Sequence, residues 1–230
     1  MQKAFRIIGI TGIIILILAA IITSTTAKTP TSEKVWDEAM TIGDIEAKNH
    51  FVIYSDIACP YCIAFENAII ENQEAFEKYI AENDILLEIR VSDYLYEYGQ
   101  YTPKSSRLSA LGTYCAKNEG KFWNYYDLAV SRVWNDYYKN MGKAGATSLS
   151  ELTEDYWIDL GKEIGLGETF ASCVKNQDPL EEIKENALKS VKSTEGGLPY
   201  FKFNNYVSSG FDLSWGWEYV LMYFDAGLKS

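Results

Sequence analysis

A strand pattern meets a helix pattern at a pair of cysteines, and this junction most restricts how the chain can fold. The run HFVIYSD, residues 50–56, is short, apolar and rich in β-forming residues, which predicts a buried strand. The sequence CPYC follows at residues 59–62, and its proline suits the first turn of a helix. Apolar residues then recur at helical spacing, which predicts one helix over residues 60–82.

The rest of the chain places strands on both sides of a long helical stretch. Residues 85–91 alternate in polarity and predict a second strand, so the first three elements form a βαβ unit. Residues 105–193 have helical periodicity and no strand signal. Residues 200–211 predict two short strands joined at Asn204-Asn205, and residues 214–227 predict a closing amphipathic helix. We therefore expect one sheet with a helical block inserted between its parts.

The N-terminus has the pattern of an export signal. Lys3 and Arg6 precede an uncharged, mostly apolar run at residues 7–22. This run is longer than the core of a typical signal peptide and shorter than a full membrane span. We interpret residues 1–28 as a signal peptide or membrane anchor with a short linker, and we favour the uncleaved anchor. Either alternative places the remaining chain outside the cytoplasm, where disulfides persist.

The overall charge excludes one class of partner. The 230-residue chain has 21 basic and 32 acidic side chains, a net charge of −11, and no basic run. Sequence-independent binding to nucleic acid depends on basic surface, so we expect no nucleic-acid partner.

The spacing of Cys59 and Cys62 suits redox chemistry better than a structural role. A disulfide that closes so short a loop stabilises a fold by at most roughly 2 kcal/mol, against about 4 kcal/mol for a long loop. At a helix start, the free N–H groups and the helix dipole favour the thiolate of Cys59. Cys59 would then be the exposed, reacting sulfur, and Cys62 the resolving one. A zinc site is the weaker alternative, because only Cys115, Cys173 and His50 remain as further ligands. We expect His50 to lie on the surface at a strand edge.

Four segments together resemble one known family. YSDIACPYC, YCAKNEGKFWNYYD, FASCVKN and GGLPYFKFNNYVSSGF are similar to segments of the DsbA-like thioredoxin-fold oxidoreductases, in the membrane-anchored branch of the Gram-positive type. The resemblance implies an α/β thioredoxin-like fold at residues 40–92 and 190–230, with an inserted helical domain at 93–189. It also implies that no metal, nucleotide or flavin cofactor is required.

The resemblance also implies which residues support the cysteines. Pro60 and Tyr61 separate them, and a cis peptide bond before Pro199 would face them and let the backbone of Leu198 pair with a substrate chain. The chain departs from the family where Ile53 replaces an acidic residue, which leaves the proton route open. Tyr61 replaces the histidine of the strongest oxidants, so we expect a milder oxidant. Asp56 matches a family aspartate, and we interpret it as a turn cap.

Cys115 and Cys173 are predicted to form a second disulfide. Each lies on an apolar helical face, the compartment is oxidising, and the cysteine count is even once Cys59 and Cys62 are paired. The family resemblance also implies that these two positions pair. The alternative is two buried free thiols that pack as small apolar side chains.

These features favour an extracytoplasmic thiol:disulfide oxidoreductase that acts as an oxidase. Its partners would be unfolded exported proteins with free thiols, and a membrane quinone-linked thiol reoxidase. A reductase or isomerase uses the same chemistry in the other direction and stays open. A third, weaker hypothesis is a membrane-tethered binding module without catalytic activity.

Overall fold

A mixed five-stranded sheet forms the centre of the fold in the computed structural model, which describes residues 34–99, 104–139, 152–193 and 197–230. The strands are β1 (Thr41–Ile42), β2 (Asn49–Ser55), β3 (Ile85–Val91), β4 (Tyr200–Phe203) and β5 (Tyr206–Ser209). They are ordered β1-β3-β2-β4-β5 across the sheet. β2 and β3 are parallel, and the other neighbouring pairs are antiparallel.

Apart from a short helix at Tyr94–Tyr98, the helices occupy positions that the sequence pattern predicts. They are α1 (Pro60–Ile70), α2 (Gln73–Glu82), α3 (Tyr94–Tyr98), α4 (Lys104–Asn118), α5 (Phe122–Val133), α6 (Glu154–Glu163), α7 (Glu168–Asn176), α8 (Leu180–Ser193) and α9 (Trp217–Leu228). Helices α3 to α8 lie between β3 and β4, and α5 continues as a π-helical turn at Trp134–Tyr138. The predicted βαβ unit and the closing hairpin with its helix are confirmed.

One helix prediction is wrong in its length. The single helix expected over residues 60–82 is two helices, α1 and α2, which are separated at Asn72. The Asn72 side chain donates a hydrogen bond to the Ala68 carbonyl over 2.9 Å, and its backbone N–H donates to the Ile69 carbonyl. Asparagine competes in this way with the regular helical hydrogen bonds and interrupts the helix.

Aromatic packing fixes α1 and α9 against the same face of the sheet. The Phe51 ring of β2 stacks on Phe224 of α9 with 4.2 Å between ring centroids. The Phe65 ring of α1 lies 4.5 Å from that of Phe201 in β4. Because these side chains are fully buried, they hold the start of α1 at a fixed position over the strands.

His50 is buried, so the expectation of a surface position is wrong. The residue is only 6% exposed, and its Nε2 atom lies 3.0 Å from Oε2 of Glu88. Glu88 also receives a hydrogen bond from Arg90 over 2.9 Å. The parallel register of β2 with β3 produces this cluster, because it aligns His50 with Leu86, near Glu88.

The segment interpreted as a signal peptide or anchor, residues 1–28, lies outside the described residues. Among the helices that the structure describes, none has the length and apolarity that crossing a membrane requires.

Candidate active site

The CPYC segment forms the N-terminus of α1. Cys59 is the N-cap residue, with φ −85° and ψ 114°, and Pro60 is the first helical residue. Cys59 and Cys62 are both free thiols. Cys59 is 4% exposed and Cys62 is 0% exposed, so Cys59 is the more accessible of the two although it is not a surface residue. Tyr61, between them, is 47% exposed.

The loop before β4 approaches the first cysteine. The Cys59 thiol donates a weak hydrogen bond to the Leu198 carbonyl, with 3.7 Å between sulfur and oxygen. The peptide bond from Leu198 to Pro199 is cis. The Pro199 carbonyl accepts a hydrogen bond from the N–H of Gly210 over 2.8 Å. The structure therefore brings together residues that the chain separates by 139 positions.

Asp56 holds the loop that precedes Cys59. Its Oδ1 atom accepts the N–H of Ala58 over 2.8 Å, as expected of a turn cap. Its Oδ2 atom accepts the N–H of Leu95 over 2.8 Å and the hydroxyl of Ser106 over 2.7 Å. Burial outweighs these bonds and raises the pKa of Asp56 to about 6. The carboxyl thus joins the active-site loop to α3 and α4.

Tyr138 supports the same loop and was not predicted from the sequence. Its hydroxyl donates a hydrogen bond to the Ala58 carbonyl over 2.9 Å, and burial raises its pKa. The π-helical turn at the end of α5 places this side chain beside Cys59. The sequence carries no signal for this contact, because WNDYY also fits a regular helix.

Burial of the second cysteine determines its protonation. Burial raises the pKa of the Cys62 thiol well above its ordinary value, and the neighbouring Cys59 and the charge of Glu66 raise it further. Cys62 is therefore a neutral thiol at neutral pH. It must lose its proton before it can act as a nucleophile.

Glu66 is a second buried acid beside the cysteines. The residue is 2% exposed, and burial raises its pKa to about 7. Ile53, the position at which the family resemblance suggested an acid, is fully buried and apolar. The sequence signal for Glu66 was a charged residue inside the apolar run IAFENAII, on the helical face of Cys62.

Cys115 of α4 and Cys173 of α7 form a disulfide in the structure. Their Cα atoms are 5.9 Å apart, within the usual range for such a bond. The alternative of two free thiols at these positions does not apply. In the part of the chain that the structure describes, no group of His, Cys, Asp and Glu side chains is arranged to hold a metal ion.

Comparisons with known proteins match this architecture. A family model described as Thioredoxin matches residues 36–204. No curated protein sequence is significantly similar to the chain.

Several solved structures share the fold. BdbD from Bacillus subtilis aligns with 17% identity and a TM-score of 0.59, covering 83% of this chain and 93% of that one. A thioredoxin-like oxidoreductase from Silicibacter pomeroyi aligns with 18% identity and a TM-score of 0.57, covering 84% and 95%. DsbA from Mycobacterium tuberculosis aligns with 13% identity and a TM-score of 0.55, covering 83% and 95%. The predicted thioredoxin-like α/β fold of the DsbA-like type is confirmed.

Proposed function

The chain belongs to the thioredoxin family, and from this premise we propose that it is a thiol:disulfide oxidoreductase with Cys59 and Cys62 as its redox centre. One observation carries the proposal. Two free cysteines occupy the first turn of α1, one more accessible than the other, and the accessible sulfur lies 3.7 Å from the Leu198 carbonyl. A merely structural pair would not need one of its sulfurs beside the backbone of a distant loop.

The reaction follows from this geometry. A thiolate of the substrate attacks Cys59 in the oxidised pair, the bond between Cys59 and Cys62 breaks, and Cys62 leaves with the electron pair. A second substrate thiolate attacks the mixed disulfide at the substrate sulfur and releases Cys59. Two electrons have then moved from the substrate to the pair. The backbone of Leu198 beside the sulfur can hydrogen-bond an extended substrate segment during the exchange.

We further propose that the protein works outside the cytoplasm as an oxidase of exported proteins. Three features support this: the export pattern of residues 1–28, the Cys115–Cys173 disulfide, and the named DsbA and BdbD structures among the similar folds. A membrane quinone-linked thiol reoxidase would regenerate the disulfide. Residues 40–92 and 190–230 would form the redox domain, and residues 93–189 the inserted helical domain.

Trapping of substrates tests the proposal. Cys62→Ser removes the resolving thiol, so mixed disulfides between Cys59 and exported proteins should persist. They should appear on non-reducing gels of cells as high-mass bands that dithiothreitol removes. The matched control is the double variant Cys59→Ser, Cys62→Ser, which should give no such bands. Equal bands in the single and double variants, or none in either, would contradict a role for Cys59 in exchange.

A further inference from the structure

The proposed reaction requires a proton to move at a buried sulfur. Cys62 is fully buried and is a thiol at neutral pH. When Cys62 leaves the active-site disulfide it must gain a proton, and when it re-forms that disulfide it must lose one. Solvent does not reach its sulfur directly, so a neighbouring group has to exchange the proton.

Glu66 is placed to do this. It lies four positions after Cys62 in α1, and residues at this spacing share one face of a helix. The charge of Glu66 acts on Cys62 strongly enough to raise the pKa of the thiol. Within the described residues, neither carboxyl oxygen of Glu66 makes a hydrogen bond of good geometry. A buried carboxyl whose oxygens lack well-formed hydrogen bonds is costly, which indicates a role other than packing.

Polar groups from three directions face Glu66. From β2 and α5 come the hydroxyls of Ser55 and Tyr126, which lower its pKa in part and lie 3.4 Å from each other. From the loop after β2 comes Asp56, and from α5 comes Asp127; the negative charge of each raises the pKa of Glu66. Burial is the largest contribution of all, so Glu66 exchanges protons near neutrality rather than near pH 4.5.

A cavity connects Glu66 with the surface. It has a volume of about 40 Å³ and lies between α1, α2, α5 and the sheet. Glu66, Tyr126 and Asp127 line its inner part, and the exposed residues Gln73 and Glu77 line its outer part. Most of the lining is apolar, but the space is large enough for a water molecule, and the carboxyl groups of Glu66 and Asp127 supply hydrogen-bonding partners for it. Burial raises the pKa of Asp127 to about 6, so it too exchanges protons near neutrality.

We propose that Glu66 is the proton-exchange group of Cys62 and that the cavity beside Asp127 carries the proton to and from solvent. The proposal rests on the proposed function. In the oxidising direction, Cys62 leaves as a thiolate and takes a proton from the Glu66 carboxyl. In re-formation of the disulfide, the Glu66 carboxylate accepts the Cys62 proton. The thiolate then attacks the Cys59 sulfur of a mixed disulfide, and the partner sulfur departs with the electron pair.

The test measures the resolution step alone. Reduced protein is mixed with oxidised glutathione, quenched with acid at successive times, and analysed by mass spectrometry for the glutathione adduct of Cys59. In Glu66→Gln the adduct should persist about 100-fold longer at pH 7, which is the lower end of what a positioned acid or base contributes. The matched control Glu71→Gln removes an exposed carboxyl next to the end of the same helix and should not change the adduct lifetime.

If Glu66 acted only through its negative charge, the variant would change the adduct lifetime in the opposite direction. Without the negative charge of Glu66 the Cys62 thiol would ionise more easily, so the adduct would disappear faster. A shorter or unchanged adduct lifetime in Glu66→Gln would therefore overturn the proposal. The wild-type resolution rate should also rise with pH through a midpoint near 7, and this inflection should be missing from the variant.

Two further measurements distinguish failure of the Glu66 proposal from failure of the proposed function. If wild-type protein formed neither the adduct nor the disulfide, the proposed function itself would fail. If Glu66→Gln did not fold, NMR titration of the Glu66 carboxyl in wild-type protein would decide. That titration should have a midpoint near pH 7 that moves when Cys59 and Cys62 are oxidised, and an unmoved midpoint would overturn the proposal.

Discussion

At the scale of single residues, the site is defined by carboxyl groups that burial keeps partly neutral. The pKa of Asp56 rises to about 6 and that of Glu66 to about 7, because the charged forms lose solvation. Asp56 is compensated by three hydrogen bonds, whereas Glu66 makes none of good geometry within the described residues. The two acids therefore differ: Asp56 holds a loop, whereas Glu66 is the group that we propose exchanges a proton with Cys62.

The pKa of Glu66 predicts how stability depends on pH. A carboxyl whose pKa is raised on folding favours the folded state below its ordinary pKa of 4.5, and this contribution is lost as pH rises through about 7. The full difference is about 3 kcal/mol. The free energy of unfolding of Glu66→Gln minus that of wild type should therefore increase by up to this amount from pH 5 to pH 8.

Urea denaturation of the proteins with Cys59 and Cys62 reduced, at both pH values, measures this difference. Glu71→Gln is the control and should show no such gain. A difference between wild type and Glu66→Gln that stays constant from pH 5 to pH 8 would contradict the assigned pKa.

At the scale of elements, local sequence patterns were sufficient to predict a helix or strand where one residue type or one hydrophobic period dominates. The β-rich run before the cysteines and the Asn204-Asn205 turn gave β2 and the β4–β5 hairpin. The break at Asn72, the two-residue strand β1 and the π-helical turn of α5 were missed. Each of these depends on side-chain hydrogen bonds or on pairing with distant strands, which periodicity does not report.

The same limit applies to the site. The motif indicated Cys59 and Cys62 because both are close in sequence and at a helix start. Tyr138 and Glu66 were not identified, because their importance arises only when α5 packs against α1. An acidic residue inside an apolar helical run is the one signal that pointed to Glu66.

The contact from the end of α5 gives a prediction at this scale. Tyr138→Phe removes the hydrogen bond to the Ala58 carbonyl and leaves that buried acceptor without this donor. We expect a loss of about 1 to 3 kcal/mol in the free energy of unfolding. Because Ala58 directly precedes Cys59, the rate of reaction with oxidised glutathione should change as well. Tyr98→Phe, at an exposed position, is the control; equal effects of the two variants on stability and rate would refute a role for Tyr138.

At the scale of the whole molecule, one covalent link joins distant parts of the helical stretch. The Cys115–Cys173 bond connects α4 with α7 across 58 positions of sequence. Linking residues so far apart restricts the unfolded chain and stabilises the fold by up to about 4 kcal/mol. This bond was predictable only in combination with the family resemblance, because composition alone left the two thiols free or paired.

Removing the link separates its structural role from the redox role of the other pair. The double variant Cys115→Ala, Cys173→Ala should lose about 2 to 4 kcal/mol of unfolding free energy, measured by urea denaturation. Its reduction potential at Cys59 and Cys62 should stay close to that of wild type. A changed potential with unchanged stability would show that the roles of the two pairs are reversed.

The reduction potential of Cys59 and Cys62 tests the central claim most directly. The protein is equilibrated with defined ratios of reduced and oxidised glutathione, and the disulfide fraction is read by thiol labelling and mass spectrometry. An oxidase that has Tyr61 in place of a histidine should have a potential between about −120 and −230 mV, more oxidising than thioredoxin and milder than the strongest oxidant of this fold. A potential near −270 mV, or a pair that forms no disulfide at any ratio, would contradict the account.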